Sequence, residues 1–290
     1  MQQFMELLIA GIAQGAVYSV FAFGLSLVYG TARVLNFAHG SLYMMGAYIA
    51  WVLSAGYFGL GYPLVFAILV PTLFLLGVAF ERLIIRPLRW KSNWKISTMM
   101  VTLGLAFVLD NFALIVFGPD YKLLPPFAEG TVAVLGFVFS YHKILIFLIA
   151  IGIVLALELF LHNTRQGQAM RAVAQDMQGA SMVGINVNHI FGYAFGLSVV
   201  LAGVAGMLLA PIYLISPLGG WPPFLKAFVI VVVGGLGSTR GTLYAAFALA
   251  IIESFVIFQI GANWTMPVWL LTLLVILIFR PQGLLGKWAE

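Results

Sequence analysis

Pro63-Leu-Val-Phe-Ala-Ile-Leu-Val-Pro-Thr-Leu-Phe-Leu-Leu-Gly-Val-Ala-Phe-Glu-Arg-Leu-Ile-Ile85 runs without a charge as far as Phe80. A helix rises about 1.5 Å per residue, so roughly 20 mainly apolar residues cross the hydrocarbon core of a bilayer. Comparable runs occupy 5–29, 41–57, 96–117, 143–161, 190–214, 242–260 and 266–279. A shorter one, 222–233, is too short to cross alone and reads as a broken or re-entrant helix. The expected fold is all-α: a polytopic transmembrane helix bundle of about eight to nine membrane segments, with one short or broken. Residues 1–290 read as a single transmembrane domain.

Composition agrees. Apolar residues make up 63% of the chain and charged residues 8%, against about 45–50% and 25% in a soluble domain. Such a chain cannot cover itself with a charged surface, so the bilayer is its solvent. Cysteine is absent, which excludes disulfides and thiolate metal sites. No basic stripe of the kind nucleic acid requires is present. Met1 to Leu8 contains no Lys or Arg, so the first run reads as a permanent helix and not a removed secretory signal.

The placement of the few charges predicts orientation. Arg33, Arg82, Arg86, Arg89, Lys91, Lys95, Arg165, Arg171, Arg240, Arg280 and Lys287 fall on one side if nine segments alternate in direction. Lys122, Lys143 and Lys226 fall on the other, a split of eleven to three. The basic side is expected in the cytoplasm, with the N-terminus outside and the C-terminus inside. That parity holds only if 222–233 goes in deep. A weak internal echo, between His39-Gly-Ser-Leu-Tyr-Met-Met-Gly-Ala47 and Arg240-Gly-Thr-Leu-Tyr-Ala-Ala-Phe-Ala248, is consistent with a repeated design.

Three segments interrupt the apolar pattern. In Tyr29-Gly-Thr-Ala-Arg-Val-Leu-Asn-Phe-Ala-His-Gly-Ser41, two glycines permit chain reversal and Ser41 is placed to cap the next helix. The stretch reads either as a polar interfacial loop or as a broken helix whose Asn36 or His39 borders a pathway. His39 lacks neighbours for metal or general-base work. In Gly234-Gly-Leu-Gly-Ser-Thr-Arg-Gly241, the absence of a Gly-Lys-Ser/Thr ending excludes a nucleotide loop and leaves a helix break. The positive end of the following helix offers a weak anion site there.

The third interruption is the connection 162–189. Residues 168–178 read as a helix with Met170, Val173, Ala174 and Met177 on one apolar stripe. Such a helix lies on lipid or docks into a partner's groove, and its Ala- and Met-rich composition favours a protein partner. Asp110, Asn111 and Glu253 sit within apolar runs and are expected to face the bundle or a cavity, as structural hydrogen bonds or as pathway groups. Glu81 and Glu158 are expected to pair with nearby basic residues. Small residues four apart, Gly11 with Gly15, Gly192 with Gly196, Ala202 with Gly206 and Gly206 with Ala210, allow close helix contact, mainly within the chain.

Taken in order along nearly the whole chain, these segments resemble the LivH-type permease of branched-chain amino acid ABC importers, the hydrophobic amino acid uptake family. The resemblance rests on Leu27-Val-Tyr-Gly30, Asn36-Phe-Ala-His-Gly40, Met45-Gly-Ala-Tyr48, Glu81-Arg82, Arg86-Pro-Leu-Arg89, Gly167 through Arg171-Ala172, Asp176 to Gly184-Ile185, Gly234-Gly-Leu-Gly-Ser238 with Gly241, and Arg280-Pro-Gln-Gly-Leu-Leu-Gly286.

The resemblance implies a type II ABC importer-like permease in a bacterial inner membrane, not an enzyme. It would work by alternating access with a LivM-like second permease, two cytoplasmic ATPases and an extracytoplasmic solute-binding protein, all in contact with lipid. ATP and Mg would be used by the ATPases, with no cofactor on this chain. It also implies that 162–189 is the coupling loop, with Gly167, Arg171, Ala172, Asp176, Ala180, Gly184 and Ile185 in the coupling segment. The polar breaks nominate Asn36, His39, Gly40, Tyr43, Gly234, Gly235 and Gly237 for the translocation pathway. Relatives carry leucine, isoleucine and valine, while similar permeases serve urea, short amides or aromatic carboxylates. The competing function is a self-sufficient secondary carrier or channel using Asp110 or Glu253. A membrane-embedded enzyme finds no carboxylate pair or nucleophile–base set.

Overall fold

The chain from Gln2 to Ala32 contains no proline and one charge, Glu6, and forms one helix, α1. The computed structural model describes residues 2–134 and 137–286. After α1 come α2 (His39–Trp51), α3 (Tyr62–Phe80), α4 (Arg86–Leu88), α5 (Trp94–Phe117), α6 (Tyr141–Asn163), α7 (Arg165–Gln175) and α8 (Met177–Met182). The chain ends with α9 (Val187–Leu209), α10 (Trp221–Gly234), α11 (Thr239–Gln259) and α12 (Thr265–Phe279). A π turn, Val52–Gly56, prolongs α2, and another, Glu81–Ile85, joins α3 to α4.

Among the described residues, seven stretches are long and apolar enough to cross a bilayer. With α2 and α10 they make nine membrane segments, the upper end of the expected range. Contacts fix their directions. Gly11 meets Ile251 and Gly15 meets Phe247, so α1 and α11 run antiparallel. Leu73 meets Gly203 while Gly77 meets Gly196, so α3 and α9 are also antiparallel. His39 approaches Ser198 and Ala47 approaches Gly206, so α2 and α9 run parallel. The small-residue pairs read from sequence thus serve packing within the chain. They let backbones close on one another where larger side chains would hold them apart.

The core sits around α9. Its apolar window is 83% buried, against 6% for the last span, which is therefore left to lipid or another chain. The arginines gather at one end of the bundle. Arg33 donates to the Ala174 carbonyl of α7, Arg89 to Asn188 at the start of α9, and Arg240 pairs with Glu158 near the end of α6. Glu81 is fully buried and holds Arg86 and Arg89, as expected of a carboxylate at a helix end. Lys122 exchanges two backbone hydrogen bonds with Ile215 at the opposite end.

Several expectations change. Lys226 does not lie on the sparsely charged side; it lies inside α10 with its ammonium on buried Glu253. Asn111 does not face the bundle. It lies on the exposed side of α5 and satisfies its amide against the Phe107 carbonyl one turn back. The connection after α5 contains a short antiparallel hairpin, β1 (Thr131–Val134) with β2 (Phe137–Ser140), pairing Thr131 with Ser140. Runs of four residues are too short to stand out beside membrane spans. Lys287, placed by sequence on the basic side, lies outside the described residues.

Candidate functional site

Two membrane segments begin inside the bundle. His39, the first residue of α2, approaches the carbonyl of Phe21, which lies eleven residues before the end of α1. At about 1.5 Å per residue, α2 starts roughly 16 Å in from the basic face. The chain from Arg33 to Ala38 therefore folds back into the bundle, and the interfacial-loop reading fails. Asn36 holds the turn by accepting from the Ala38 N–H at 3.1 Å. A carbonyl only accepts, so His39 Nε2 carries the proton and donates to Phe21 at 2.9 Å. Nδ1 is left to accept from Ser198 Oγ at 3.4 Å. The ring is stacked on Phe21 and has no exposed surface.

Gly40 lies backbone to backbone against Gly220, immediately before α10, where any β-carbon would stand 2.5 Å from the Gly220 carbonyl oxygen. The N-termini of α2 and α10 thus meet at one depth. Trp221 anchors this point by donating its indole N–H to buried Asp110 at 2.8 Å. From there α10 reaches the basic face in 14 residues, about 21 Å. It is the half-helix expected of 222–233, and α2 is a second one that its apolar run did not disclose.

A cavity of about 240 Å³ opens above this meeting point, lined by Tyr18, Tyr43, Met44, Ala47, Gly206 and Lys226 among others. A second cavity, of about 490 Å³, lies across α1 and takes in Gln14, Tyr213 and Glu253. Between them runs a polar seam. Lys226 donates to Glu253 Oε1 at 2.5 Å and to the Tyr18 hydroxyl at 2.8 Å. The Gln14 amide donates to the hydroxyls of Tyr18 and Tyr213, each at 2.8 Å. The ammonium also faces the rings of Tyr18 and Trp269, at 5.0 and 5.6 Å. Tyr18 lies 14 residues from the end of α1, which puts the seam about 21 Å from the basic face.

Of the residues nominated for the pathway, Tyr43 lines the first cavity. Asn36, His39 and Gly40 are buried and do not line it: Gly40 packs on Gly220, His39 on Phe21, and Asn36 lies with Leu42, Phe80 and Thr102. Lys226, Tyr18, Gln14 and Tyr213 escaped the sequence reading. The available signal was a lysine inside an apolar run with a glutamate inside another.

The nominated glycines of the second break lie at the basic end. Gly237 has φ +81 and lies against Gly30 of α1. Gly235 has φ +106 and lies against Gly286, and Gly234 lies against Gly241. The carbonyls of Val233 and Gly234, left free at the end of α10, accept from the N–H groups of Leu284 and Leu285 at 2.8 and 3.1 Å. Ser238 caps α11 by accepting from Gly241 N–H, and the Gly234 carbonyl fills the space beside it. The protein's own backbone thus occupies the place of the suggested anion site.

The connection 162–189 forms two helices, not one. Thr164 caps α7 by accepting from Gly167 N–H at 3.0 Å. Asp176 takes an extended backbone, ends α7 and caps α8 by accepting from Gln178 N–H at 2.9 Å. The expected helix over 168–178 therefore starts and ends one turn early. Its stripe also faces inward, with Met170 and Val173 buried against the bundle. The apolar side chains left outside are Met177, Met182 and Val183, the last two 88% and 77% exposed.

Within the nominated coupling set, Arg171, Asp176 and Gly184 are exposed and Ala172 and Ile185 half-buried. Gly167 and Ala180 are buried, Gly167 because a β-carbon would collide with the Phe160 carbonyl. A cleft of about 350 Å³ separates α7 from the ends of α1, α6 and α11, with Arg171, Gln175, Gly30, Gly237 and Arg240 on its walls. Among the described residues, no three His, Asp or Glu side chains gather closely enough to hold a metal ion.

A re-entrant bundle with midplane cavities and a capped two-helix projection is the anatomy of a solute permease. A family model described as the permease component of the branched-chain amino acid transport system matches residues 7–279. The chain is 32% identical to the high-affinity branched-chain amino acid transport system permease protein BraD of Pseudomonas aeruginosa, over 98% of this chain and 96% of the relative. It is 28% identical to the corresponding protein LivH of Escherichia coli over the same shares. It is 29% identical to a probable branched-chain amino acid transport permease protein LivH of Methanocaldococcus jannaschii, over 95% of this chain and 92% of the relative. No solved structure matches. The chain is a transport permease and not an enzyme, and it belongs to the family of permease components of branched-chain amino acid transport systems.

Proposed function

We propose that this chain is a membrane permease subunit of an ABC importer that moves branched-chain amino acids across a bacterial inner membrane. The observation that carries the reading is the α7–α8 projection on the arginine-rich face. Its outer surface presents Met177, Met182 and Val183, with Arg171 and Asp176 alongside. A compact apolar knob rimmed by charge suits a groove on a soluble protein. Two cytoplasmic ATPases that use ATP and Mg are its partners, with a LivM-like second permease beside the bundle and a solute-binding protein on the far side. The excess of arginine on the α7 face supports a cytoplasmic placement of that face, with the N-terminus outside and the C-terminus inside.

Force on the projection has a route inward. Arg33 ties α7 to the end of α1 at 3.2 Å, and α1 carries Tyr18 at the seam between the cavities. Alternating access then consists of α7 moving with its ATPase and shifting α1 against α10. The family membership sets aside a self-sufficient carrier built on Asp110 or Glu253.

The test is ATP-driven uptake in vesicles holding the purified permeases, ATPases and binding protein, across leucine, isoleucine, valine, urea, short amides and aromatic carboxylates. Uptake of the branched aliphatic amino acids that stops without ATP is the expected result. Uptake confined to another class would overturn the substrate, and uptake by this chain without ATPases would overturn the importer.

A further inference from the structure

Lys226 and Glu253 form a charged pair at mid-depth, on the wall between two cavities. A buried pair of this kind is weak support for a fold, because two well-packed apolar residues serve as well. It is also incompletely satisfied. Glu253 is 5% exposed and its Oε2 is buried without a hydrogen-bond partner, while Oε1 takes the lysine. Lys226 borders the first cavity and Glu253 the second, and Tyr213 lines both, so the pair stands where the two cavities adjoin.

The surroundings of the first cavity are aliphatic and aromatic: Met44, Ala47, Leu209 and Ile215 with the rings of Tyr18 and Tyr43. Its volume of about 240 Å³ lies just under the range of about 300–1,000 Å³ typical of drug-sized ligands and suits one small solute.

We propose that the Lys226–Glu253 pair is the transit site for a zwitterionic α-amino acid, whose carboxylate takes Lys226 and whose ammonium takes Glu253. The proposal rests on the importer reading above and adds the two residues that recognise the charges of its substrate. Its logic is exchange of partners. A zwitterion brings one charge of each sign, so the internal pair opens into two new pairs and no charge is left bare in a low-dielectric interior. A monoanionic carboxylate would satisfy Lys226 and strand Glu253. A neutral amide or urea could compensate neither. The site therefore selects amino acids over the other solute classes that similar permeases carry, and the apolar walls select an aliphatic side chain. Tyr18 and Tyr213, bridged by Gln14, stand where the pair must part and steady each charge as it changes partner.

The experiment uses the complete complex in vesicles with leucine-loaded binding protein and reads leucine imported per ATP hydrolysed. Glu253→Gln keeps the size and the lysine contact, and Lys226→Met with Glu253→Gln removes both charges without stranding either. Each is expected to lower the ratio at least tenfold. Lys122→Met is the control, since Lys122 lies over Trp51 at the far end and in neither cavity; it should keep the wild-type ratio. A double variant that imports leucine within twofold of wild type makes the pair a packing element and overturns the proposal. Should the wild-type complex import no leucine at all, the importer reading fails first and this one with it. Leucine import by wild type that survives in the variants sinks this inference alone.

Discussion

Gly46 and Gly203 bring α2 and α9 together by their backbones, and Gly46→Ala tests how firmly that contact is set. A β-carbon at Gly46 would stand 2.2 Å from Gly203 Cα and 2.5 Å from its carbonyl oxygen, where ordinary contact begins near 3.4 Å. Both neighbours are backbone, so no rotamer change relieves the clash and the helices must part by about an ångström. Overpacking of this kind costs about 1–3 kcal/mol, and the upper end applies where backbone must yield. Alanine recovers about 1 kcal/mol of helix propensity. The net is a loss of about 2 kcal/mol, or a fall in Tm of roughly 4–8 °C at ~2–4 °C per kcal/mol. Gly104→Ala, on the exposed side of α5 with nothing within 4 Å, gains the propensity without the clash and should melt at or slightly above wild type. Intrinsic fluorescence reads both, because the chain has seven tryptophans and no cysteine for a thiol dye. If Gly46→Ala melts with or above Gly104→Ala, the α2–α9 approach is wrong.

Asp176→Ala removes the α8 cap at a cost of about 1 kcal/mol, enough to fray a six-residue helix. Uptake should fall sharply while Asp176→Asn, which keeps the acceptor, retains it; equal uptake in the two would refute the cap's role. A cysteine at Lys91, in a chain with no native cysteine, should escape membrane-impermeant thiol reagents in intact cells and react after permeabilisation. Labelling from outside would invert the proposed orientation. Glu81→Ala strands Arg89, whose side chain is 14% exposed beside the carboxylate, and losing one partner of a buried pair costs about 3–5 kcal/mol. The yield of monodisperse protein should collapse, and a variant purifying like wild type would show that the pair carries no weight.

The spans were legible because an uninterrupted apolar run is a statement about length, and length decides what crosses a bilayer. The glutamates near helix ends and the small residues four apart were legible for a similar local reason. Depth was not. The 41–57 run looks like a span, yet α2 begins at His39 some way inside, because Asn36 and a histidine–carbonyl bond turn the chain back into the bundle. The partners of buried charges were equally hidden. Alternation of the membrane segments puts Lys226 on the sparsely charged side, whereas its partner lies 27 residues away on the next helix. Of the stripe expected over 168–178, Met170 and Val173 share a buried face of α7, whereas Met177 lies beyond the Asp176 break on α8, and periodicity cannot say which neighbour a stripe faces. Met170 and Val173 face their own bundle, and the partner-facing surface passes to α8.

The glycine break at 234–241 and the C-terminal segment 280–286, far apart in the sequence, form one device. A helix leaves its last carbonyls without intrahelical partners, and at the basic end of α10 Val233 and Gly234 are buried, so their carbonyls need donors from the protein itself. At the end of α10 the chain's own C-terminal segment supplies the missing N–H groups, from Leu284 and Leu285. The fit requires glycine on both sides: Gly283 has φ +78, and a β-carbon there would meet Gly235 N at 2.5 Å. The same half-helix is held at its other end by Gly220 against Gly40 and by the Trp221 bond to Asp110. Lys226 lies between these two anchors, on a helix fixed at both ends. Its ammonium therefore has a fixed origin from which it reaches Tyr18 of α1 and Glu253 of α11. A charge that must exchange one carboxylate for another is best carried by an element held at both ends, as α10 is by Gly40 and Asp110 at its start and by Leu284 and Leu285 at its close.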